Sequence, residues 1–228
     1  MLGVLSSCAV EVGMHKLSLI LCTKDEEELI EGFFENINAQ TLRPSMQIIC
    51  VDSSSDNTAE VCKKNADVFV SKPLSLPEAR NLGAQYADAQ YLYFTDADIR
   101  LPYNSALEDA LNYMSSRSIK VATALVEQPS GHFLGGLREF YRSFIPVATG
   151  QCTIIDKEVF MRIGGFPSKL YWGEDAYLGA KAWLNGYGVH LLPFIVRHVR
   201  PHSLVLKQEK LDRNGRLKVC RCQLGAWG

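Results

Sequence analysis

Two aspartates separated by one residue, Asp96-Ala97-Asp98, follow closely on the apolar run Tyr91-Leu-Tyr-Phe94. On extended backbone, residues two apart point to the same side, so both carboxylates can face one ligand, and such hard oxygen donors suit Mg²⁺ or Mn²⁺. An ordinary acidic turn after a strand is the plain alternative. Two other apolar runs end in the same way: Thr23 closes Leu17-Ser-Leu-Ile-Leu-Cys22, and Asp52 closes Ile48-Ile-Cys-Val51. In open parallel sheets ligands sit at the carboxyl ends of the strands. Carboxylates gathered at such an edge repel one another and are costly to desolvate unless a cation or a donor-rich ligand compensates them. The pattern therefore points to a site that awaits positive charge.

The elements that must present these residues alternate between strand and helix patterns. Residues 17–22 form a first strand, and Leu29, Phe33, Phe34 and Ile37 fall at helical spacing over 26–40, with Asp25 to Glu28 suiting the positive end of that helix. Residues 46–51 are a second strand, and the turn over 53–58 caps a helix reaching about Asn65, with Asp56 as the cap. Residues 67–71 give a short third strand. A helix starting near Leu76, with Pro77 in its first turn, leads to the fourth strand over 91–94. A helix over 103–115 and a strand over 119–125 continue the alternation, which then breaks over 127–150 at Pro129, Gly131, Gly135, Gly136 and Pro146. A strand over 151–155, helices over 157–163 and 174–185, and two last strands over 188–192 and 195–199 complete the pattern. It predicts one α/β domain over 14–203 with a largely parallel sheet, followed by a polar, basic tail over 204–228.

Composition bounds the partners. Lys and Arg number 24 against 25 Asp and Glu, a net charge of −1, which removes the electrostatic argument for a nucleic-acid binder. A content of 47% hydrophobic and 21% charged residues is that of a soluble globular protein. Of seven cysteines, Cys22 and Cys50 sit inside apolar runs as small buried hydrophobes. No Cys-x-x-Cys pair occurs, and Cys220 and Cys222 lie in the polar tail, so neither a structural zinc site nor a disulfide scaffold is expected. A reducing, cytosolic compartment follows. The first fourteen residues lack a basic leading region, and no run of eighteen apolar residues exists, so neither a signal peptide nor a membrane span is expected, and Met14 is a candidate start.

The ordered series Thr23, Val51-Asp52-Ser-Ser-Ser-Asp56-Asn-Thr58, Ala79-Arg80-Asn81-Leu-Gly83, Asp96-Ala-Asp98, Gly164-Gly165-Phe166 and Gly173-Glu174-Asp175 resembles the family 2 glycosyltransferases. The resemblance spans roughly 17–203 and implies the GT-A fold, a Rossmann-like three-layer α/β/α arrangement with a mostly parallel central sheet. It implies that Thr23, Glu26 and Asp52 line the nucleotide pocket, with Asp52 accepting from a base N–H; a helix cap is the alternative for Asp52. Arg80 is implied to lie against the nucleotide, or else is one more solvated helix cation. Asp96 is implied to touch the ribose or the metal's water shell, Asp98 to ligate Mn²⁺ or Mg²⁺, and a histidine near the end of the core to add a ligand. His198 and His202 are the two candidates, and His198 is favoured because it follows the apolar Ile195-Val196 pair. Glu174 and Asp175 open a helix after Gly173, where one acid would suffice as a cap; the resemblance makes Asp175 the general base, with Glu174 supporting. Departures from the family pattern are Asp25 where asparagine is common, Ser53 where a second acid is frequent, and Thr95 ahead of the aspartate pair.

The implied activity is an inverting, metal-assisted transfer of a sugar from a nucleoside diphosphate sugar, a UDP-sugar being favoured, to a hydroxyl of a glycan, polysaccharide or lipid-linked acceptor. Tyr171 and Trp172 would stack on a sugar ring or pack in the core. Phe133, Phe140, Tyr141 and Phe144 mark 127–150 as an acceptor segment or as an apolar helix on the sheet. The tail cations Lys207, Lys210, Arg213, Arg216, Lys218 and Arg221 suit the anionic cytoplasmic face of a membrane, or are simply solvated. An inactive nucleotide-sugar-binding domain is the leading alternative. A sugar nucleotidyltransferase fits less well, because Thr-Lys-Asp-Glu-Glu after the first strand has no glycine; a haloacid-dehalogenase-type phosphatase would want its acids there rather than after the fourth.

Overall fold

The apolar runs of the sequence become strands buried on both faces. Every residue of β1 (Leu17–Thr23) and of β2 (Met46–Asp52) is buried, as continuous Val/Ile/Leu-rich strands are when helices cover the sheet on either side. The computed structural model describes residues 15–127, 148–168, 170 and 173–199. After β1 and α1 (Ile30–Asn38) come β2, α2 (Thr58–Asn65), β3 (Val68–Ser71), α3 (Leu76–Tyr86), β4 (Tyr91–Thr95), β5 (Ile99–Arg100), α4 (Ala106–Ser116) and β6 (Val121–Glu127). The described chain resumes with β7 (Cys152–Asp156), α5 (Lys157–Arg162), α6 (Glu174–Leu184) and β8 (Val189–His198).

The sheet order among the described residues is β3-β2-β1-β4-β7-β6-β8-β5. The strands β1 to β4 pair in parallel, and β8 pairs in parallel with β6. Because β7 is antiparallel to both β4 and β6, the strands β6 and β8 run in the same direction as β1 to β4. Only β5 and β7 are reversed. The carboxyl ends of β1, β2, β4 and β8 thus share one edge, and the amino end of β7 joins them there.

Alternate residues of β1 feed two cores. Leu17, Leu19 and Leu21 pack with Ile30, Phe33 and Ile37 of α1 and Leu107 and Met114 of α4, while Ile20 and Cys22 pack with Ala79 and Ala84 of α3, Phe160 of α5 and Leu178 of α6. This is the expected three-layer α/β/α fold. Cys22, Cys50, Cys62 and Cys152 are free and buried in it, and burial pushes the Cys22 thiol up to about 12.

Three elements differ from their expected form. The first helix runs from Ile30 rather than Glu26, although the Ile30 amide already donates to the Glu26 carbonyl at 3.0 Å; ahead of it the amides of Asp25, Glu26 and Glu27 are bonded to Ser54, Thr58 and Asp56 of the β2–α2 loop. The two last strands are one, β8, whose pairing shifts register between Thr123/Leu191 and Leu125/Ile195. Pro193, which cannot donate to a ladder, sits at that irregularity. The two-residue β5 carries no apolar run long enough to signal a strand, and it forms by pairing Ile99 with His198.

Candidate active site

The shared edge assembles from loops that hold one another. Thr23 and Asp52 face each other across the β1–β2 pair, and the Thr23 hydroxyl donates to Asp52 Oδ1 at 2.7 Å. Ser54 adds its hydroxyl at 2.6 Å and its amide at 3.2 Å, so Asp52, 1% exposed, is a buried carboxylate compensated by two hydroxyls and a backbone N–H. Asp25 adopts a left-handed backbone with φ 55° and accepts from the amide and hydroxyl of Ser55. Glu26 is half-buried, with its amide on the Thr58 hydroxyl at 2.8 Å. Asp56 accepts from the Thr58 amide at 3.0 Å from one residue ahead of the N-cap of α2, which is Asn57 rather than the expected Asp56.

The second part of the edge is Asp96 to Asp98. Pairing of β5 with β8 brings His198 Nε2 to 3.2 Å from Asp98 Oδ2, with side chains 3% and 14% exposed, and the Val199 amide donates to the Asp98 carbonyl at 2.8 Å. The intervening turn is held by Arg100, which donates to the Ala97 carbonyl at 2.8 Å and to the Leu29 carbonyl at 3.0 Å. Burial raises the Asp96 carboxyl to about 6; Arg80 opposes this and Asp98 adds to it. The carboxylate oxygen is a donor that Mn²⁺ and Mg²⁺ both accept, and the imidazole nitrogen beside it suits a transition ion such as Mn²⁺ better than Mg²⁺. Among the described residues no group of three His, Cys, Asp or Glu side chains is placed to hold a metal ion. A cation held here by Asp98 would have to take most of its ligands from water and from a bound phosphate, as Mg²⁺ commonly does.

The third part comes from α3 and α6. Gly173 takes a left-handed backbone, φ 71°, that non-glycine residues adopt only under strain, and the chain turns there into α6 with Glu174 and Asp175 in its first turn. Asp175 accepts from the Gly150 amide at 3.1 Å and the Ala176 amide at 2.7 Å. Arg80, with only 3% of its side chain exposed, donates through Nη1 to Glu174 at 2.9 Å and through Nη2 to Asp96 at 3.1 Å. Phe166 lies under its guanidinium, 5.3 Å from ring centre to Cζ, and itself packs edge-on against Phe94 at 5.0 Å. The neighbouring Asn81 clamps the Phe166 backbone from both sides, accepting from its amide at 2.9 Å and donating to its carbonyl at 2.8 Å. The separated Ala-Arg-Asn and Gly-Gly-Phe motifs are thus two halves of one support.

Thr23, Asp52 and Glu26 stand at and beside the ends of β1 and β2, and Asp96, Asp98, His198, Glu174 and Asp175 form a second, charge-rich group around Arg80. Arg80 is placed inside the protein between two acids, where the sequence suggested a nucleotide contact or a solvated cation. Gly150 was missed. The signal was a glycine directly before an apolar strand, but only the reversed direction of β7 brings that glycine to the edge. His202, Tyr171, Trp172, Phe133, Phe140, Tyr141, Phe144 and the tail from 204 lie outside the described residues.

Comparison with known proteins agrees with this fold. The chain is 25% identical over 218 residues to the O-antigen chain rhamnosyltransferase RfbN of Salmonella typhimurium, covering 85% of this chain and 69% of that one. It is 23% identical over 215 residues to the O-antigen biosynthesis protein RfbC of Myxococcus xanthus, covering 79% of this chain and only 17% of that protein. Among solved structures it resembles the mannosyltransferase PcManGT of Pyrobaculum calidifontis, in complex with GDP-Man and Mn²⁺, with a TM-score of 0.70 at 22% identity over 82% of this chain and 58% of that one. It also resembles S. aureus TarS residues 1–349 in complex with UDP-GlcNAc, with a TM-score of 0.68 at 18% identity over 82% and 59%. The chain therefore spans less than two thirds of several of the proteins it matches. The model of the family described as "Glycosyl transferase family 2" matches residues 18–140, more than half of the sequence, and the chain belongs to that family.

Proposed function

We propose that this chain carries the donor site and transfer centre of an inverting, metal-assisted glycosyltransferase that uses a nucleoside diphosphate sugar, with a UDP-sugar favoured. The observation that carries the reading is the charge at one edge: Asp96, Asp98, Glu174 and Asp175 converge there around Arg80 and His198. Such a cluster leaves an excess of negative charge that a divalent cation and its phosphate-bearing ligand would balance. The GDP-Man and Mn²⁺ of the mannosyltransferase relative, and the UDP-GlcNAc of TarS, support the donor class.

Thr23, Glu26 and Asp52, at the ends of β1 and β2 and in the loop after β1, would line the base and ribose pocket. Asp52, held by Thr23 and Ser54, would accept from a base N–H. Asp98 and His198 would hold Mn²⁺ or Mg²⁺, with Asp96 reaching its water shell or the ribose. When bound, that cation supplies positive charge to the departing diphosphate. Asp175, oriented by two backbone amides, would take the proton of the acceptor hydroxyl as its oxygen attacks the anomeric carbon from the face opposite the diphosphate, which inverts the centre. Glu174 is held by Arg80 and supports the turn that presents Asp175.

The acceptor is proposed to be a glycan or lipid-linked hydroxyl, with the chain working at the cytoplasmic face of a membrane. Among the described residues no helix is long and apolar enough to cross one. The deciding test is titration calorimetry of wild type and Asp98→Ala with UDP in the presence and absence of Mn²⁺. Metal-dependent binding by wild type and its loss in the variant are expected; equal binding by both would remove Asp98 from the site.

A further inference from the structure

Arg80 is a cation held almost entirely out of water, and an unpaired guanidinium there would be untenable. It is paired twice, to groups from distant parts of the chain. Asp96 ends the strand edge that bears Asp98 and His198, and Glu174 opens the helix that bears Asp175. The planar fork of arginine can meet two carboxylates through separate nitrogens, which the single ammonium of lysine does with much looser geometry. On one face the guanidinium is backed by Phe166. Against it lies Gly150, where an added Cβ would fall well inside van der Waals contact with Nη1, Nη2 and Cζ. The amide of that same Gly150 donates to Asp175 Oδ2 at 3.1 Å.

We propose that Arg80 is a positioning residue that sets the separation between the cation-binding edge and the base-bearing helix, and that Gly150 is the residue that admits it and aims Asp175. The inference rests on reading this edge as a transfer centre. Two continuous paths of contact join the halves of the site: Asp96 to Arg80 to Glu174, and Arg80 to Gly150 to Asp175. Arg80 is buried and bonded through both terminal nitrogens to the protein's own acids, so it acts on the relative placement of cation and base rather than as an exposed contact for nucleotide. A lateral error of an ångström between reacting groups can cost about a hundredfold in rate.

The test uses the full chain as Arg80→Lys, Gly150→Ala, Glu174→Gln and the double variant Arg80→Lys/Glu174→Gln, with circular dichroism to establish folding. Affinity is read by calorimetry with UDP or GDP and Mn²⁺. Turnover is read with whichever of UDP-glucose, GDP-mannose and dTDP-rhamnose the wild type hydrolyses. Arg80→Lys and Gly150→Ala should each lower kcat by roughly ten- to hundredfold without a matching loss of nucleotide affinity. The double variant should be no slower than the slower of its two singles, since Glu174 acts through its bond to Arg80 and that path is already broken in Arg80→Lys. If Arg80→Lys does not fold, the kcat-against-affinity split of Gly150→Ala decides. Unchanged kcat, an equal fall in affinity, or losses that multiply in the double variant would each overturn the inference while leaving the transferase reading in place. A folded wild type that neither binds these nucleotides nor hydrolyses any of the three donors would overturn both.

Discussion

Asp175 takes both its resolved hydrogen bonds from backbone amides, which fix the direction of the carboxylate without supplying a competing acid. Replacement by asparagine preserves the shape and removes the basicity. Asp175→Asn is expected to lower kcat by about 10²–10⁴ with nucleotide binding nearly intact, measured by transfer kinetics beside calorimetry. Turnover equal to wild type would exclude Asp175 as the base. The acids of this edge were legible because each stands where a buried strand or a glycine turn ends, and a carboxylate in such a place calls for an explanation. The partners of Arg80 were not legible, since Glu174 lies 94 residues away and no local pattern records that distance. The approach of Asp98 to His198 was expected from the resemblance alone; no local pattern records it, because it depends on a two-residue strand with no periodicity of its own.

At the scale of elements, α5 shows how a short helix is fixed at its entry. Asp156 accepts from the amides of Glu158 and Val159 and from Lys120 Nζ at 2.8 Å. Loss of such a cap costs about 1–2 kcal/mol, so Asp156→Ala should lower the unfolding free energy by that amount in urea titrations. The hydrogen bonds of Lys120 and Val159 outweigh the effect of burial and hold the Asp156 carboxyl below its ordinary value. A carboxylate depressed in the folded state contributes stability at neutral pH, and loses it as pH falls below the unfolded value and through the folded one. The difference between wild type and Asp156→Ala should therefore shrink in acid below about pH 4, and a difference independent of pH would refute the ionic part of the cap. Helix and strand identities were readable from apolar spacing. The contacts that hold residues 25–27 ahead of α1 were not, because side chains and amides of another loop supply them.

For the molecule as a whole, the direction of β7 matters more than any single residue. A purely parallel sheet follows naturally from an alternating strand and helix pattern, yet β7 runs against its neighbours, and nothing in its apolar sequence encodes direction. Across the entire fold, a ligand that binds only the native state raises stability by mass action. UDP with Mn²⁺ should accordingly raise Tm more than either alone, and a chelator should reverse the metal-dependent increment; a shift unaffected by chelation would argue against a cation at this edge. The reversal of β7 also bears on how the protein can diversify. β6 ends at Glu127 and β7 begins at Cys152, and because the two strands are antiparallel neighbours, the sequence between them leaves and re-enters the fold on the side where the acids gather. The returning end of that connection, Ala148 to Gly150, is itself tied to Gly179, Arg80 and Asp175, so any change of length between the two strands must leave those contacts in place.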